Sequence, residues 1–286
     1  MSGYEDLAVI AQIYVGTLGV FKIPKRIIMV SGSRPIFNYI RRRLKHVKKA
    51  HIGRYLMDLK VDHIYGFYRD IDILVFWLEE RYSIVPLLVM RAFYHAGAKI
   101  VITIGYSYSI RPNFKVGDIL IPLWGCSTFS LRNRILGLYK GRAFYDRVEC
   151  ICDKIIPLYE WVSVDPLLAS KLYSRALRLK DKGVRVILGG IASIAELERS
   201  NPNHIINLSR DGVYALDYHS ILHMGWNKAS EYMKRGRLRQ ASITLAVDEI
   251  YSGAKPYQTR SSIRRIRFIE NMLARIILDV ISEIQL

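Results

Sequence analysis

Short apolar runs alternate with amphipathic segments along most of this chain, and this alternation constrains the fold more than any other feature. Residues 99–105 form a largely apolar run, as expected of a strand in a sheet that is covered on both faces. Alternating strands and helices imply an α/β layered domain with helices on both faces of the sheet. The predicted strands are 26–30, 73–77, 99–105, 116–122, 184–190, 214–217 and 241–247, and the predicted helices are 36–47, 84–95, 165–182, 193–200 and 261–285.

The composition is that of a folded protein. Of the 286 residues, 51% are hydrophobic and 24% are charged, which excludes an intrinsically disordered chain. No linker rich in proline, glycine or serine divides the sequence, so we expect one domain over residues 1–286 that includes a basic N-terminal segment. No apolar run reaches the roughly 18 residues that a membrane helix needs, and the N-terminus lacks the basic start of a signal peptide. We therefore expect a cytoplasmic protein without a membrane partner.

The three cysteines give no metal-binding pattern. Cys150 and Cys152 are separated by a single residue, and Cys126 has no nearby partner, so the paired spacing of a zinc site is absent. We expect reduced thiols, no metal site and no cofactor.

The net charge of +18 is large and unevenly distributed. It arises from 43 Lys+Arg against 25 Asp+Glu, and the stretch from Leu7 to Met57 contains eleven lysines and arginines but no acidic residue. Unpaired cations are almost never buried, so this excess lies on the surface and attracts polyanions such as nucleic acid. For any one run of charge, a solvated face is the simpler alternative. Salt-bridge networks would need acids that the N-terminal stretch lacks.

Three basic clusters are the main candidates for an RNA-binding surface. Residues 41–49 combine cations with nearby aromatic and histidine side chains, residues 234–239 form a basic loop, and residues 260–267 begin the last predicted helix. Cations at a helix N-terminus oppose the helix dipole, which favours an external anion. The predicted RNA-binding residues are Arg34, Arg41, Arg42, Arg43, Lys45, Lys48, Lys49, Arg54, Lys234, Arg235, Arg237, Arg239, Arg260, Arg264, Arg265 and Arg267.

Several segments, in order, carry a resemblance to a known family. The strongest are residues 97–105 (GAKIVITIG) and 116–122 (VGDILIP), and weaker matches lie at 26–34, 215–220 and 245–249. Together they resemble the nucleoside phosphorylase superfamily, especially its purine nucleoside and methylthioadenosine phosphorylases. The resemblance implies a three-layer α/β/α domain around a twisted mixed sheet.

That family needs arginines and glycine-rich loops for phosphate, a carboxylate for the ribose hydroxyls and an acid beside the purine. At the phosphate position, Thr103 replaces an arginine and Tyr106 would fill space meant for phosphate. His219 stands where the resemblance implies the ribose-binding glutamate. Asp248, at the purine-acid position, and Asp217 keep suitable chemistry, so Asp248, Asp217 and His219 are the vestigial catalytic candidates.

Two further phosphate segments also depart from the family pattern. Residues 32–35 lack its Asp-Pro order, and residues 80–85 contain no glycine. Each charge-assisted contact contributes about 1.5–3 kcal/mol, so losing two or three would weaken phosphate binding by orders of magnitude. We therefore predict a non-catalytic protein, a degenerate nucleoside phosphorylase.

The fold, the altered phosphate loops and the basic surface together resemble an archaeal small-subunit ribosomal protein related to methylthioadenosine phosphorylase. The resulting prediction is an RNA-binding structural component of the archaeal small (30S) ribosomal subunit, with rRNA and ribosomal proteins as partners. Its localisation would be cytoplasmic and ribosome-associated.

Two alternatives stay open at this point. One is a divergent but active nucleoside phosphorylase or hydrolase that acts on a purine nucleoside such as methylthioadenosine, with Asp248 as the purine-side acid. The other is a regulatory partner in an oligomer of identical or different chains, since active members of the family are oligomeric.

Overall fold

The computed structural model describes residues 24–56, 59–79, 89–90, 93, 97–127, 162–193, 202–217, 238–250 and 260–286. The strands are β1 (Arg26–Ser31), β2 (Lys45–Leu56), β3 (Leu59–Tyr68), β4 (Ile71–Leu78), β5 (Ile100–Ser109), β6 (Ile119–Ser127), β7 (Val162–Ser163), β8 (Val186–Ser193), β9 (Val213–Asp217) and β10 (Arg239–Glu249). The helices are α1 (Arg34–Arg43), α2 (Pro166–Ala176), α3 (Pro202–Arg210) and α4 (Arg260–Glu283). A 3-10 helix at Leu177–Lys182 follows α2.

The predicted strands are all present, but the predicted helix over 36–47 is wrong at its C-terminal end. Ser33 caps α1 by accepting a hydrogen bond from the Ile36 N–H at 3.3 Å, and the helix ends at Leu44, whose N–H bonds to the Ile40 carbonyl. The chain then extends into β2 and turns back as β3, and neither strand was predicted. The basic residues from Lys45 onward therefore lie on an edge strand rather than on a helix face and loop.

Other helical predictions have mixed outcomes. The segment 165–182 is α-helical to Ala176 and continues as a 3-10 helix, and the long C-terminal helix is confirmed. Residues 194–200, predicted as a helix, lie outside the described residues, while α3 was not predicted. Most of 84–95 is also outside them, but Gly97 has the φ of +92° expected of a glycine that ends a helix.

One mixed sheet of ten strands organises the described part of the chain. Its order is β10-β6-β8-β9-β5-β1-β4-β3-β2, with β7 paired to β6 and a further pairing between β10 and β5. The last pairing closes β5, β10, β6, β8 and β9 into a ring, while β1, β4, β3 and β2 extend from β5 as an open sheet. β5 therefore belongs to both parts and pairs in parallel with β1 and β10.

Helical layers cover both faces of the sheet, which confirms the α/β/α prediction. Neighbouring residues of β4 point to opposite faces. On one face, Trp77 lies under Arg34 of α1, and α1 packs against α4. On the other face, Phe76 makes an edge-on contact with helical Phe93, with ring centroids 5.5 Å apart. Both rings belong to the same buried apolar core.

None of the described helices is long and apolar enough to cross a membrane.

Candidate active site

The first phosphate segment and the phosphate strand meet at a buried carboxylate. Gly32, with φ of +74°, turns the chain out of β1 so that Ser33 faces α4. Ser33 Oγ donates a hydrogen bond to Glu270 Oε1 at 2.5 Å, and Tyr106 Oη donates one to the same oxygen, also at 2.5 Å. Glu270 is 1% exposed. The two segments thus converge, as the resemblance implies, but on an acid of the C-terminal helix.

This carboxylate determines which anions can bind at the junction. Two hydroxyl groups of the protein already donate to one oxygen of this side chain. A phosphate at the junction would lie beside this buried acid instead of the arginine that the resemblance implies, and an acid is an unfavourable neighbour for an anion at low dielectric. Thr103, at the expected arginine position, is buried in β5 and carries no charge. Neither Glu270 nor Thr103 therefore offers a positive charge to a phosphate at the junction.

A second buried acid lies at the carboxyl ends of β8 and β9. Ser193 and Asp217 are partners in this parallel ladder, and Ser193 Oγ donates to Asp217 Oδ1 at 2.7 Å. Both residues are buried, with exposures of 0% and 5%. In α/β sheets, ligands bind at the carboxyl ends of parallel strands, so this position suits a functional acid.

The third acid, Asp248, stands at the carboxyl end of β10. It pairs with Tyr108 in the parallel ladder with β5, just after a register shift that follows Ala246. Tyr108 pairs on its other side with Leu216, the residue before Asp217. Asp248 is half-buried, and its Oδ1 accepts a hydrogen bond from the Glu249 N–H at 2.7 Å. Two of the three predicted catalytic residues therefore flank β5 at one end of the sheet. His219 lies outside the described residues.

Three of the predicted RNA-binding arginines have partners within the protein. Arg34 forms an ion pair with fully buried Asp62 and covers the Trp77 ring, with its guanidinium carbon 3.6 Å from the ring centroid. Arg239 pairs with Asp165 at 3.0 Å, and Arg265 donates to the Gly183 carbonyl at 2.8 Å. These contacts stabilise the fold and engage the three guanidinium groups within the protein.

The remaining predicted RNA-binding residues fall into two groups. For the first group, RNA contact stays an untested prediction: Arg41, Arg42, Arg43, Lys45, Arg264 and Arg267 have exposed side chains. The structure does not describe the side chains of the second group. Lys48, Lys49 and Arg54 lie in β2, and Arg260 is the first residue of α4. Lys234, Arg235 and Arg237 lie outside the described residues.

The Arg239–Asp165 pair shows how such a contact is held. Asp165 also caps α2, because its Oδ1 accepts a hydrogen bond from the Leu168 N–H at 2.9 Å. Burial acts to raise the pKa of the Asp165 carboxyl, but the hydrogen bonds from Arg239 and Leu168 outweigh burial and lower this pKa. The ionised pair therefore contributes to the stability of the native state.

Sequence reasoning missed several residues of this region. Glu270 was one polar residue among many in an amphipathic helix, and only its depth in the core distinguishes it. Ser193 begins the predicted helix 193–200, but in the structure it is the last residue of β8. Thr244 lies in a predicted strand, and Ser107 lies two residues beyond the predicted strand 99–105, which extends to Ser109 in the structure. The period of two in polar residues around these buried hydroxyls could have indicated a shared polar face.

Comparison with known proteins supports the fold assignment. No protein-family model matches the sequence, and no curated protein matches it. Among solved structures, Campylobacter jejuni 5'-methylthioadenosine/S-adenosyl homocysteine nucleosidase is 12% identical with a TM-score of 0.62, covering 91% of this chain and 99% of its own. Uridine phosphorylase from Vibrio fischeri is 13% identical with a TM-score of 0.67, covering 92% and 94%. The native futalosine hydrolase of Helicobacter pylori is 13% identical with a TM-score of 0.62, covering 91% and 98%.

These matches define a nucleoside phosphorylase-like fold. They also overturn the prediction of a non-catalytic, RNA-binding component of the archaeal small ribosomal subunit, because the matched structures are nucleosidases, hydrolases and phosphorylases. The prediction that the chain is not an enzyme is wrong for the same reason. Arg34, Arg239 and Arg265 make contacts within the protein, and RNA contact by these and the other listed residues stays an untested prediction.

Proposed function

We propose that this protein is an enzyme that cleaves the bond between base and sugar of a nucleoside, with water rather than phosphate as the nucleophile. The observation that carries the proposal is the buried Glu270 carboxylate, which is bound by Ser33 and Tyr106 at the junction where phosphate would otherwise bind. Phosphorolysis needs an anion at this position, whereas hydrolysis needs a neutral water molecule. The charge of the junction therefore favours hydrolysis.

The structural neighbours support this choice without deciding the substrate. Two of the three enzymes described above are named as a nucleosidase and a hydrolase, and they share the fold at TM-scores of 0.62. Because identity is only 12–13%, the likeness concerns the fold, and the activity is inferred from the site. A purine nucleoside such as methylthioadenosine is the substrate we infer.

The acids at the carboxyl end of the sheet have distinct proposed roles and act from opposite faces, because Asp248 pairs with Tyr108 whereas Asp217 lies on the face of Ser107. Asp248, half-buried at the end of β10, stabilises the charge that develops on the leaving purine. Asp217, buried and oriented by Ser193, accepts the proton of the attacking water. The water oxygen bonds to the anomeric carbon, and the carbon–nitrogen bond breaks with its electron pair moving to the base. The base takes a proton from solvent, so the products are free base and free sugar.

The decisive experiment measures base release from methylthioadenosine, adenosine and inosine, with and without added phosphate. We expect free base and a reducing sugar at a rate that phosphate does not change. Asp248→Asn should lower kcat about 100-fold or more. Glu283→Gln, at the far end of α4, serves as the matched control and should keep wild-type activity. Release that requires phosphate and yields a sugar phosphate would contradict hydrolysis, and no release from any nucleoside would contradict the enzyme assignment.

A further inference from the structure

The face of β5 that is opposite to Tyr106 carries a second set of polar groups. Ser107 of β5 and Thr244 of β10 are 0% and 1% exposed. Ser107 Oγ and Thr244 Oγ1 have no hydrogen-bond partner among the described residues. Each buried hydroxyl left without a partner costs about 1–3 kcal/mol. Such groups are normally satisfied by an ordered water or by a ligand.

The strand register places these two hydroxyls around a glycine. Thr244 pairs with Gly105, and Ser107 follows two positions later in the same strand, so all three share one face. On the other side of Gly105 lies Ser31, because the parallel ladder of β1 and β5 ends with Val30 opposite Ile104. We call Ser31, Gly105, Ser107 and Thr244 the hydroxyl cradle.

Gly105 stands at the central position of the cradle, packed closely against Ser31. A Cβ added at this residue would lie 3.1 Å from Ser31 Cβ and 3.7 Å from Ser31 Oγ, so an alanine would crowd this position. The glycine therefore lets β5 pack closely against β1 beside the hydroxyls, and the two hydroxyl groups without a partner among the described residues are what favour a bound water molecule here.

The chemistry of the cradle selects a neutral ligand. None of its four residues carries a charge, and hydroxyl groups both donate and accept hydrogen bonds, as water does. The cradle also adjoins an acid. Tyr108 pairs with Leu216 in the antiparallel ladder of β5 and β9, so Ser107 is the next residue of β5 toward Asp217. By the alternation of the ladder, Ser107 and Asp217 lie on the same face of the sheet.

We propose that the hydroxyl cradle binds the water molecule that attacks the sugar, with Ser107 and Thr244 as its positioning residues. This role rests on the proposed function. Thr244 Oγ1 and Ser107 Oγ hold the water oxygen, and the water gives its proton to Asp217 as the new carbon–oxygen bond forms and the bond to the base breaks. Positioning of this kind raises the rate because the nucleophile is held ready beside the reacting carbon.

The first test of the cradle does not depend on activity. A crystal structure of the wild-type protein should contain an ordered water within hydrogen-bond distance of both Ser107 Oγ and Thr244 Oγ1, and a Thr244→Val crystal should lack it. An empty cradle in the wild-type crystal would overturn the proposal.

The second test measures the choice of nucleophile. With methanol added to the wild-type protein and methylthioadenosine, the product should remain almost entirely free sugar, because the cradle holds a water molecule ready to attack the sugar. Ser107→Ala and Thr244→Val should raise the ratio of methyl glycoside to free sugar by roughly five-fold and lower kcat roughly ten-fold, equivalent to one lost hydrogen bond of about 1.4 kcal/mol. Ser174→Ala, an exposed serine of α2, is the matched control and should change neither quantity.

The outcomes separate this proposal from the proposed function. If both variants fold and keep the wild-type product ratio and kcat, the cradle does not position the nucleophile. If the wild-type protein releases no base at all, the proposed function and the catalytic role of the cradle both fail, and the crystal structures still decide whether the cradle binds water. A lower kcat with an unchanged product ratio would also overturn the positioning role, because a merely structural defect gives that result.

Discussion

The buried hydroxyl groups on the two faces of β5 differ in their hydrogen bonding. On one face, Tyr106 and Ser33 both bond to Glu270, and every member of that cluster has a partner. On the other face, Ser107 and Thr244 are as deeply buried, but their hydroxyls have no partner within the described residues. One strand thus separates a closed polar cluster from one that can accept a ligand.

This difference distinguishes groups that hold the fold together from groups that are ready for chemistry. A buried polar cluster whose members are all paired contributes to a unique packing arrangement. Unpaired buried hydroxyls destabilise the native state slightly, and functional sites commonly accept such a cost. Substitutions on the two faces should therefore separate effects on stability from effects on activity.

The largest expected effect is on the closed face. Glu270→Ala would leave the Tyr106 and Ser33 hydroxyls buried without an acceptor, and we expect the free energy of unfolding to fall by about 3–5 kcal/mol. Glu270→Gln retains an acceptor oxygen, so its loss should be smaller, about 1–2 kcal/mol. Urea unfolding of the two variants measures both values. Equal losses for alanine and glutamine would contradict the hydrogen-bonded role of this side chain.

The next effect concerns the same face, at the start of α1. Arg34→Ala would remove the cation that pairs with fully buried Asp62, and we expect a loss of about 3 kcal/mol. Arg41→Ala, in the same helix but exposed, should change stability by less than about 0.5 kcal/mol. Thermal unfolding of the pair provides the comparison. Similar values for the two arginines would mean that the Arg34–Asp62 ion pair makes no net contribution.

A direct comparison of the two faces uses neighbouring residues. Tyr106→Phe removes a hydrogen bond to a buried carboxylate and should cost about 1.5–3 kcal/mol of stability. Ser107→Ala removes a hydroxyl without a partner inside the described part of the chain, so it should not lower the free energy of unfolding by more than about 0.5 kcal/mol. Urea unfolding measures both. If Ser107→Ala were the more destabilising of the two, the contrast between the faces would be wrong.

The smallest effect is a dependence on pH. The lowered pKa of Asp165 means that its ionised form stabilises the native state above the ordinary value of 3.8, and that this stability is lost as the pH falls through the lower native-state value. Asp165→Asn keeps an acceptor for the helix cap but has no charge for Arg239. The free energy of unfolding of the wild-type protein should exceed that of this variant by about 1 kcal/mol near pH 6, and the difference should shrink as the pH falls below 3.8. A difference that stays constant with pH would exclude the ion pair as its cause.

The sequence predicts much of the fold because its strands are apolar. β1, β4, β5 and β10 are buried on both faces, so continuous runs of isoleucine, leucine and valine mark them clearly. β2 and β3 escape prediction because β2 carries a series of lysines and arginines at an edge of the sheet, where a polar strand is tolerated.

The candidate site is predictable only in part. Asp217 and Asp248 stand at strand ends, where both the pattern and the resemblance place an acid. Glu270 is distant in sequence from Ser33 and Tyr106, and no periodicity reveals that its side chain reaches them. The cradle likewise depends on the register between β5 and β10, which pairs Gly105 with Thr244 and which residue patterns do not specify.

The ring of β5, β10, β6, β8 and β9 has a consequence for how the chain is made. β5 and β6 are synthesised early, but β10 pairs with both and comes from residues 239–249 near the end of the chain. Until β10 is synthesised, β5 and β6 therefore each have a hydrophobic edge that is not yet paired with β10. Premature termination before β10 would leave these edges open to pairing with other chains, so we expect truncated forms to aggregate rather than to fold into a smaller domain.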